Sequence, residues 1–322
     1  MVSDLQPLPW QAPLLSTLRQ QQAAGQLGHA LLITGPAGVG KRHLAHALVA
    51  ASLCEQGGDS ACGTCPACAR LAAGSHPDRQ WLQRRADDKT GKLRRDISIE
   101  QIREMIERVM LSAQYGRGKF VLIDPVDALN GAGRNALLKT LEEPPAETVL
   151  LLISERPLEL PATVRSRCRQ LRLAPPPAAE AAQWLSRQGH DAQLLPWAGG
   201  APLQAAAWSE SQQGAHFQRW AQGLTAIARG RTEPLALAAE IGRDEVAGFV
   251  EWLIRWLHAE LRRALTNETS VVPAAWLEPV VVEALAARGQ LAGNVNPQMV
   301  LESLLILWWR QARLAARGVQ SR

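Results

Sequence analysis

Hydrophobic positions fall into two different patterns along the chain. In the first half, short apolar runs alternate with stretches of helical spacing. Ala30 to Thr34 (ALLIT), Phe120 to Asp124 (FVLID) and Val149 to Ile153 (VLLLI) are nearly continuous apolar runs, as expected of strands buried on both faces. Gln170 to Leu173 predicts a further short strand, and Leu44 to Leu53 and Asn135 to Glu143 carry helical spacing. Strands alternating with helices predict a parallel α/β sheet, whose ligands collect at the carboxyl ends of the strands. Beyond Ala174-Pro-Pro-Pro177 the strand pattern stops. Ala178 to Gln188 reads as one helix, and Leu195 to Trp208 as another broken at Gly199-Gly200. Val246, Phe249, Val250, Leu253, Trp256, Leu257, Leu261 and Leu265 recur at helical spacing. Asn296-Pro297 is a helix start, and the segment after it, with Val300, Leu301, Leu304, Leu305, Leu307 and Trp308, is apolar on more than one face. The break at Ala174-Pro-Pro-Pro177 divides the chain into 1–173 and a helical remainder from 174 on.

Composition narrows this picture only a little. The 322 residues are 47% hydrophobic and 20% charged, ample for packed cores and unlike a disordered chain. The formal net charge of +5 allows contact with nucleic acid or an acidic partner but does not demand it. Leu304 to Trp309 is too short to span a bilayer, and MVSDLQPLPWQAP lacks the order of a signal peptide, so a cytoplasmic protein is the expectation. In that compartment five cysteines point to metal or free thiols before disulfides. The charged stretch Arg84 to Arg95, around Thr90-Gly91, reads as a solvated loop.

The strand ALLIT runs directly into GPAGVGKRHL. Gly35, Gly38, Gly40 and Lys41 match a phosphate-binding loop, in which glycines let several amides converge on phosphate oxygens and lysine reaches the outer phosphates. The next position should carry a hydroxyl that holds magnesium, and here it is Arg42. Arginine has no lone pair to offer a metal. The acid-bearing strand is VLIDPVDAL: Asp124 is present, but its neighbour is Pro125, which cannot act as a base. Asp127 could substitute only if the turn aimed it back. Both losses point to a loop that no longer drives hydrolysis, although ATP or ADP could still rest on it.

Cys54, Cys62, Cys65 and Cys68 have the spacing C-x7-C-x2-C-x2-C, with turn-forming residues between them. Four thiolates can enclose Zn²⁺ as a tetrahedral structural site, with no position left open for catalysis. The alternative is four buried thiols without metal. Cys168, remote from the four, reads as a buried free thiol. Arg165-Ser-Arg-Cys168 follows the third strand; by residue type alone, its arginines are surface ion-pair formers.

Taken together, HALLITGPAGVGKR, the cysteine module directly after the loop helix, NALLKTLEEPP (Asn135 to Pro145), PATVRSRC (Pro161 to Cys168) and NPQMVLESLLILWW (Asn296 to Trp309) resemble the bacterial DNA polymerase III clamp-loader subunits. The likeness covers nearly the whole chain. It implies an AAA+ P-loop module with an inserted zinc module, a small helical lid at 174–209 and a helical collar at 210–322. It also implies a pentameric ring with gamma/tau and delta subunits that opens a sliding clamp and places it on primed DNA, within the polymerase holoenzyme and away from membranes. In that setting Arg167 becomes an arginine finger offered to a neighbour's nucleotide. The segment AGGAPLQAA has Gln204 where active members are expected to carry a further arginine. Two other readings compete. A self-sufficient gamma/tau-type ATPase is disfavoured by Arg42 and Pro125. A zinc-dependent nucleic-acid-binding module has little support from the mild charge and the few aromatics near the cysteines.

Overall fold

The computed structural model describes residues 5–87, 90–111, 113–211, 213–265, 274–291, 293 and 295–319. The sequence readings at Met1–Asp4 and at Asp88 and Lys89 fall outside these residues. The chain divides into two units, Met1–Pro176 and Pro177–Arg322.

The first unit is built on a five-stranded parallel sheet. Its strands are β1 (Ala30–Thr34), β2 (Arg79–Leu82), β3 (Lys119–Ile123), β4 (Thr148–Ser154) and β5 (Arg169–Arg172), in the order β2-β3-β4-β1-β5. The three apolar runs therefore occupy the sheet interior, where both faces are covered. Leu31, Leu32, Ile33, Val121, Leu122, Leu150 and Leu151 are fully buried, each worth roughly 1.5–3 kcal/mol relative to exposure. The edge strands β2 (RQWL) and β5 (RQLR) are short and largely polar.

Helices flank this sheet: α1 (Ala12–Ala23), α2 (Lys41–Leu53), α3 (Pro66–Ala72), α4 (Ile99–Met110), α5 (Gly131–Glu142) and the single turn α6 (Ala162–Arg165). The sequence pattern predicts α2 and α5. It misses α1, α3, α4 and β2. The α4 signal is present in retrospect: Ile102, Met105 and Val109 are buried at helical spacing, and Ser98 with Gln101 forms a reciprocal cap. Asn130 caps α5 by accepting from the Gly133 amide at 2.8 Å, an interaction typically worth ~1 kcal/mol. The Arg84–Arg95 stretch folds back on itself, with the Arg94 amide donating to the Arg85 carbonyl at 2.9 Å.

The second unit is helical: α7 (Ala178–Arg187), α8 (Pro202–Glu210), α9 (Gln213–Ala228), α10 (Pro234–Glu240), α11 (Val246–Leu265), α12 (Ala274–Leu291) and α13 (Pro297–Val319). One apolar core runs through it from Ala181 to Trp308. Trp220, Trp252, Trp256 and Trp308 pack there in a continuous aromatic chain, with ring centroids 5.5–6.1 Å apart between successive members. These tryptophans are therefore core residues, and the Trp308 indole donates to the Leu224 carbonyl at 2.9 Å. Asn296 caps α13 by accepting from the Gln298 amide at 3.1 Å. The expected α/β P-loop sheet followed by an all-helical region is the architecture observed.

Candidate functional site

β1 ends at Thr34 and delivers the chain into the glycine loop at the carboxyl end of the sheet. Gly35, Gly38 and Gly40 all have positive φ, at 146°, 78° and 93°. Two of them also have no room for a side chain: a Cβ on Gly35 would strike the Leu173 carbonyl, and one on Gly40 would lie 2.5 Å from both Gln11 and Leu8. Buried Gln11 donates to the Gly40 carbonyl at 2.8 Å, which braces the loop where α2 begins. Sequence reasoning has no handle on this brace, because it joins residues far apart in the chain.

Lys41 opens α2 and is turned inward, its side chain only 5% exposed. Its Nζ donates to the carbonyls of Gly35 and Pro36, both at 2.8 Å, and lies 3.6 Å from Glu155 at the end of β4. Burial pulls its pKa down, against the opposing effect of Glu155.

The Arg42 side chain is 58% exposed, but its Nε is bonded to Asp124, whose side chain is 6% exposed at the end of β3. The two sequence departures thus meet: the residue that replaces the metal-holding hydroxyl is clamped on the remaining acid. Asp127 lies near enough to Lys41 to favour its charge, but its carboxylate is already engaged. It accepts from the Ser154 hydroxyl at 2.6 Å and the Glu155 amide at 2.8 Å, tying the turn after β3 to the end of β4.

Arg167 lies elsewhere. Strand β5 runs parallel to β1, with Arg169 beside Leu31 and Arg172 beside Thr34. Arg167 lies in the turn just before β5, at the amino end of the sheet, so the length of that strand, on the order of 10 Å, separates it from the loop end. Its guanidinium pairs with Glu142 at 2.7 Å and donates to the Thr163 carbonyl at 3.0 Å, and its side chain is 36% exposed. Glu142, the last residue of α5, is a partner that the sequence reading quotes without giving it a role. Cys168 is a buried free thiol, its pKa pushed up to about 11 by desolvation.

The four cysteines converge. Cys54 ends α2, Cys65 caps α3 and Cys68 lies in its first turn. Their sulfurs all lie within 4.8 Å of one another, with Cys54–Cys65 at 4.0 Å and Cys62–Cys68 at 3.9 Å. A tetrahedral ion with Zn–S near 2.3 Å would set sulfurs about 3.8 Å apart. Amides supply the usual support for thiolates: Cys62 donates to the Cys54 sulfur at 3.3 Å, and Thr64 and Cys65 donate to the Cys62 sulfur at 3.4 and 3.3 Å. These donors hold the Cys62 thiol down to about 6, whereas burial pushes Cys68 up to about 12. The donor set fits a metal ion. Arg117 fixes the cluster to the sheet domain by donating to the Cys54 and Glu55 carbonyls at 2.9 and 3.0 Å.

Comparison with known proteins agrees with this arrangement. Residues 10–177 match the family model described as DNA polymerase III, delta subunit. The DNA polymerase III subunit delta' of Pseudomonas aeruginosa is 34% identical over 93% of this chain and 96% of its own length. The corresponding Escherichia coli subunit is 35% identical over 79% of this chain and 76% of its own. The tau subunit of E. coli is also 35% identical, but over 51% of this chain and only 24% of tau. No helix among the described residues is long and apolar enough to cross a membrane. With the loop, the cysteine cluster and near end-to-end similarity to delta' proteins in view, the chain belongs to the delta-prime family of DNA polymerase III subunits.

Proposed function

We propose that this chain serves as a non-hydrolysing clamp-loader subunit that lends Arg167 to a neighbour's nucleotide. The observation that carries the reading is the pairing of Arg42 with Asp124. A metal bound there would meet a guanidinium in place of a hydroxyl and an acid already engaged, and Pro125 supplies no base. The residues do not fit a magnesium-dependent hydrolytic centre. A nucleotide, ATP or ADP, would rest on the loop amides and Lys41 as a structural ligand.

In this reading Arg167 acts in trans. Its position at the far end of the sheet takes it away from its own loop, and its exposure lets it reach another subunit. A guanidinium placed on a γ-phosphate stabilises the charge that develops in transfer. The cluster of Cys54, Cys62, Cys65 and Cys68 holds Zn²⁺ as a structural ion. The helical unit supplies a lid (174–209) and a collar (210–322) that joins gamma/tau and delta in a pentameric ring. That ring loads the sliding clamp onto primed DNA in the cytoplasm.

The gamma/tau-type ATPase is the competing reading, and turnover decides between them. The purified chain is expected to hydrolyse ATP no faster than its Lys41→Ala variant. A clear turnover that Lys41→Ala abolishes would establish a working motor and overturn the proposal.

A further inference from the structure

We propose that the glycine loop takes its nucleotide without magnesium, the Arg42 guanidinium standing as a fixed positive charge where the metal would be. The selected ligand is then a nucleoside diphosphate or triphosphate free of metal, on the reading that the loop holds a nucleotide at all.

Arg42 occupies the position after the loop lysine, which in this motif carries the metal-holding hydroxyl. Its Nε is bonded to Asp124, the acid that would otherwise face the ion. The pair stands beside Lys41, close enough for the Asp124 carboxylate to favour the lysine charge. Among the described residues Nη1 and Nη2 of Arg42 make no hydrogen bond, and more than half of the side chain is exposed. Lys41 and Arg42 open α2, and its first turn contains no acid. Two cations at a helix amino end oppose the helix dipole, and an anion resting there relieves both.

Magnesium finds no such welcome. In sites of this kind the ion keeps several waters and is held by one or two carboxylates besides the phosphates. Asp124 is committed to Arg42, Asp127 accepts from the Ser154 hydroxyl and the Glu155 amide, and Glu155 lies 3.6 Å from Lys41. A nucleotide arriving with magnesium sets a divalent cation against the guanidinium, or else breaks the Arg42–Asp124 pair. A metal-free nucleotide does neither. The phosphate charge that magnesium would offset is met by Lys41, Arg42 and the amino end of α2. Arginine suits the part because it is charged at every physiological pH and its planar fork matches phosphate oxygens.

The test is calorimetric titration of the full-length protein with ADP, in buffers of equal ionic strength with and without magnesium. Magnesium is removed beforehand over a chelating resin rather than with a dissolved chelator, which leaves the cysteine cluster undisturbed. The wild-type protein should bind ADP at least as tightly without magnesium as with it. Arg42→Ser, which restores the hydroxyl and frees Asp124, should bind at least about tenfold more tightly with magnesium than without. Should Arg42→Ser not fold, the two wild-type titrations decide on their own. Wild-type binding that is clearly tighter with magnesium overturns the proposal and leaves the nucleotide-holding loop standing. A folded Arg42→Ser as indifferent to magnesium as the wild type overturns it too, because Arg42 would then not be what displaces the ion. No binding by the wild type in either buffer removes the nucleotide-holding loop itself, and the metal-free ligand with it.

Discussion

The two ends of one sheet treat their cations in opposite ways. At the carboxyl end, Lys41 is folded onto the Gly35 and Pro36 carbonyls and Arg42 is fixed on Asp124. At the amino end, Arg167 is more than a third exposed and held by Glu142, itself half-exposed. A cation bonded to buried protein oxygens must surrender those bonds before it serves a phosphate. A cation held by an exposed carboxylate surrenders a pair worth about 0–1 kcal/mol. The difference teaches that the presence of a P-loop lysine or an arginine says less than what already occupies it. In the proposed reading, the loop end is the self-contained part of the module and the Arg167 end is the part offered to a partner.

The largest effect is expected at the four-cysteine cluster, which the proposed function fills with zinc. Helix α2 runs from the glycine loop to Cys54, so the cluster anchors the far end of the helix that Lys41 begins. Cys65→Ser, or removal of the ion by a chelator, should destabilise the first unit by on the order of 4 kcal/mol in urea denaturation. Elemental analysis should show about one zinc per chain before and none after. Hydrogen exchange should then rise through α2 well before it rises in β5. Equal loss of protection at both ends would show that the two ends are not independent.

A smaller effect sharpens the contrast at the loop itself. Arg42→Ala leaves a buried carboxylate without its partner and should cost about 1–3 kcal/mol. Asp124→Ala leaves only an exposed guanidinium and should cost less than about 1 kcal/mol. The reverse ranking would mean that Asp124 is not held mainly by Arg42. The smallest change is expected at the other end: Glu142→Gln should shift stability by about 0.5 kcal/mol or less, since it removes one half-exposed ion pair.

The sequence was most legible where burial dictated composition. The apolar runs in β1, β3 and β4 stand at the sheet centre, where only hydrophobic residues suit both faces. β2 escapes notice because an edge strand reading RQWL carries polar side chains that solvent tolerates. The site is legible in the same uneven way. Glycines at positive φ and C-x2-C steps are local demands on the chain, so they leave local signatures. Gln11 against Gly40, Lys41 against Glu155 and Arg167 against Glu142 are contacts between distant segments, and no periodicity announces them. The Arg42–Asp124 clamp falls between these cases. Its two members stand out singly as departures from a motif, and only the fold shows that they meet.

The most direct test compares the two ends within one assembly. Clamp loader reconstituted with gamma/tau and delta would carry this chain as wild type, Lys41→Ala or Arg167→Ala, and clamp-stimulated ATP hydrolysis would be measured alongside ring assembly. All three are expected to assemble, Lys41→Ala to keep nearly full hydrolysis and Arg167→Ala to lose most of the turnover at the neighbouring site. Full hydrolysis with Arg167→Ala, together with its loss in Lys41→Ala, would contradict the account.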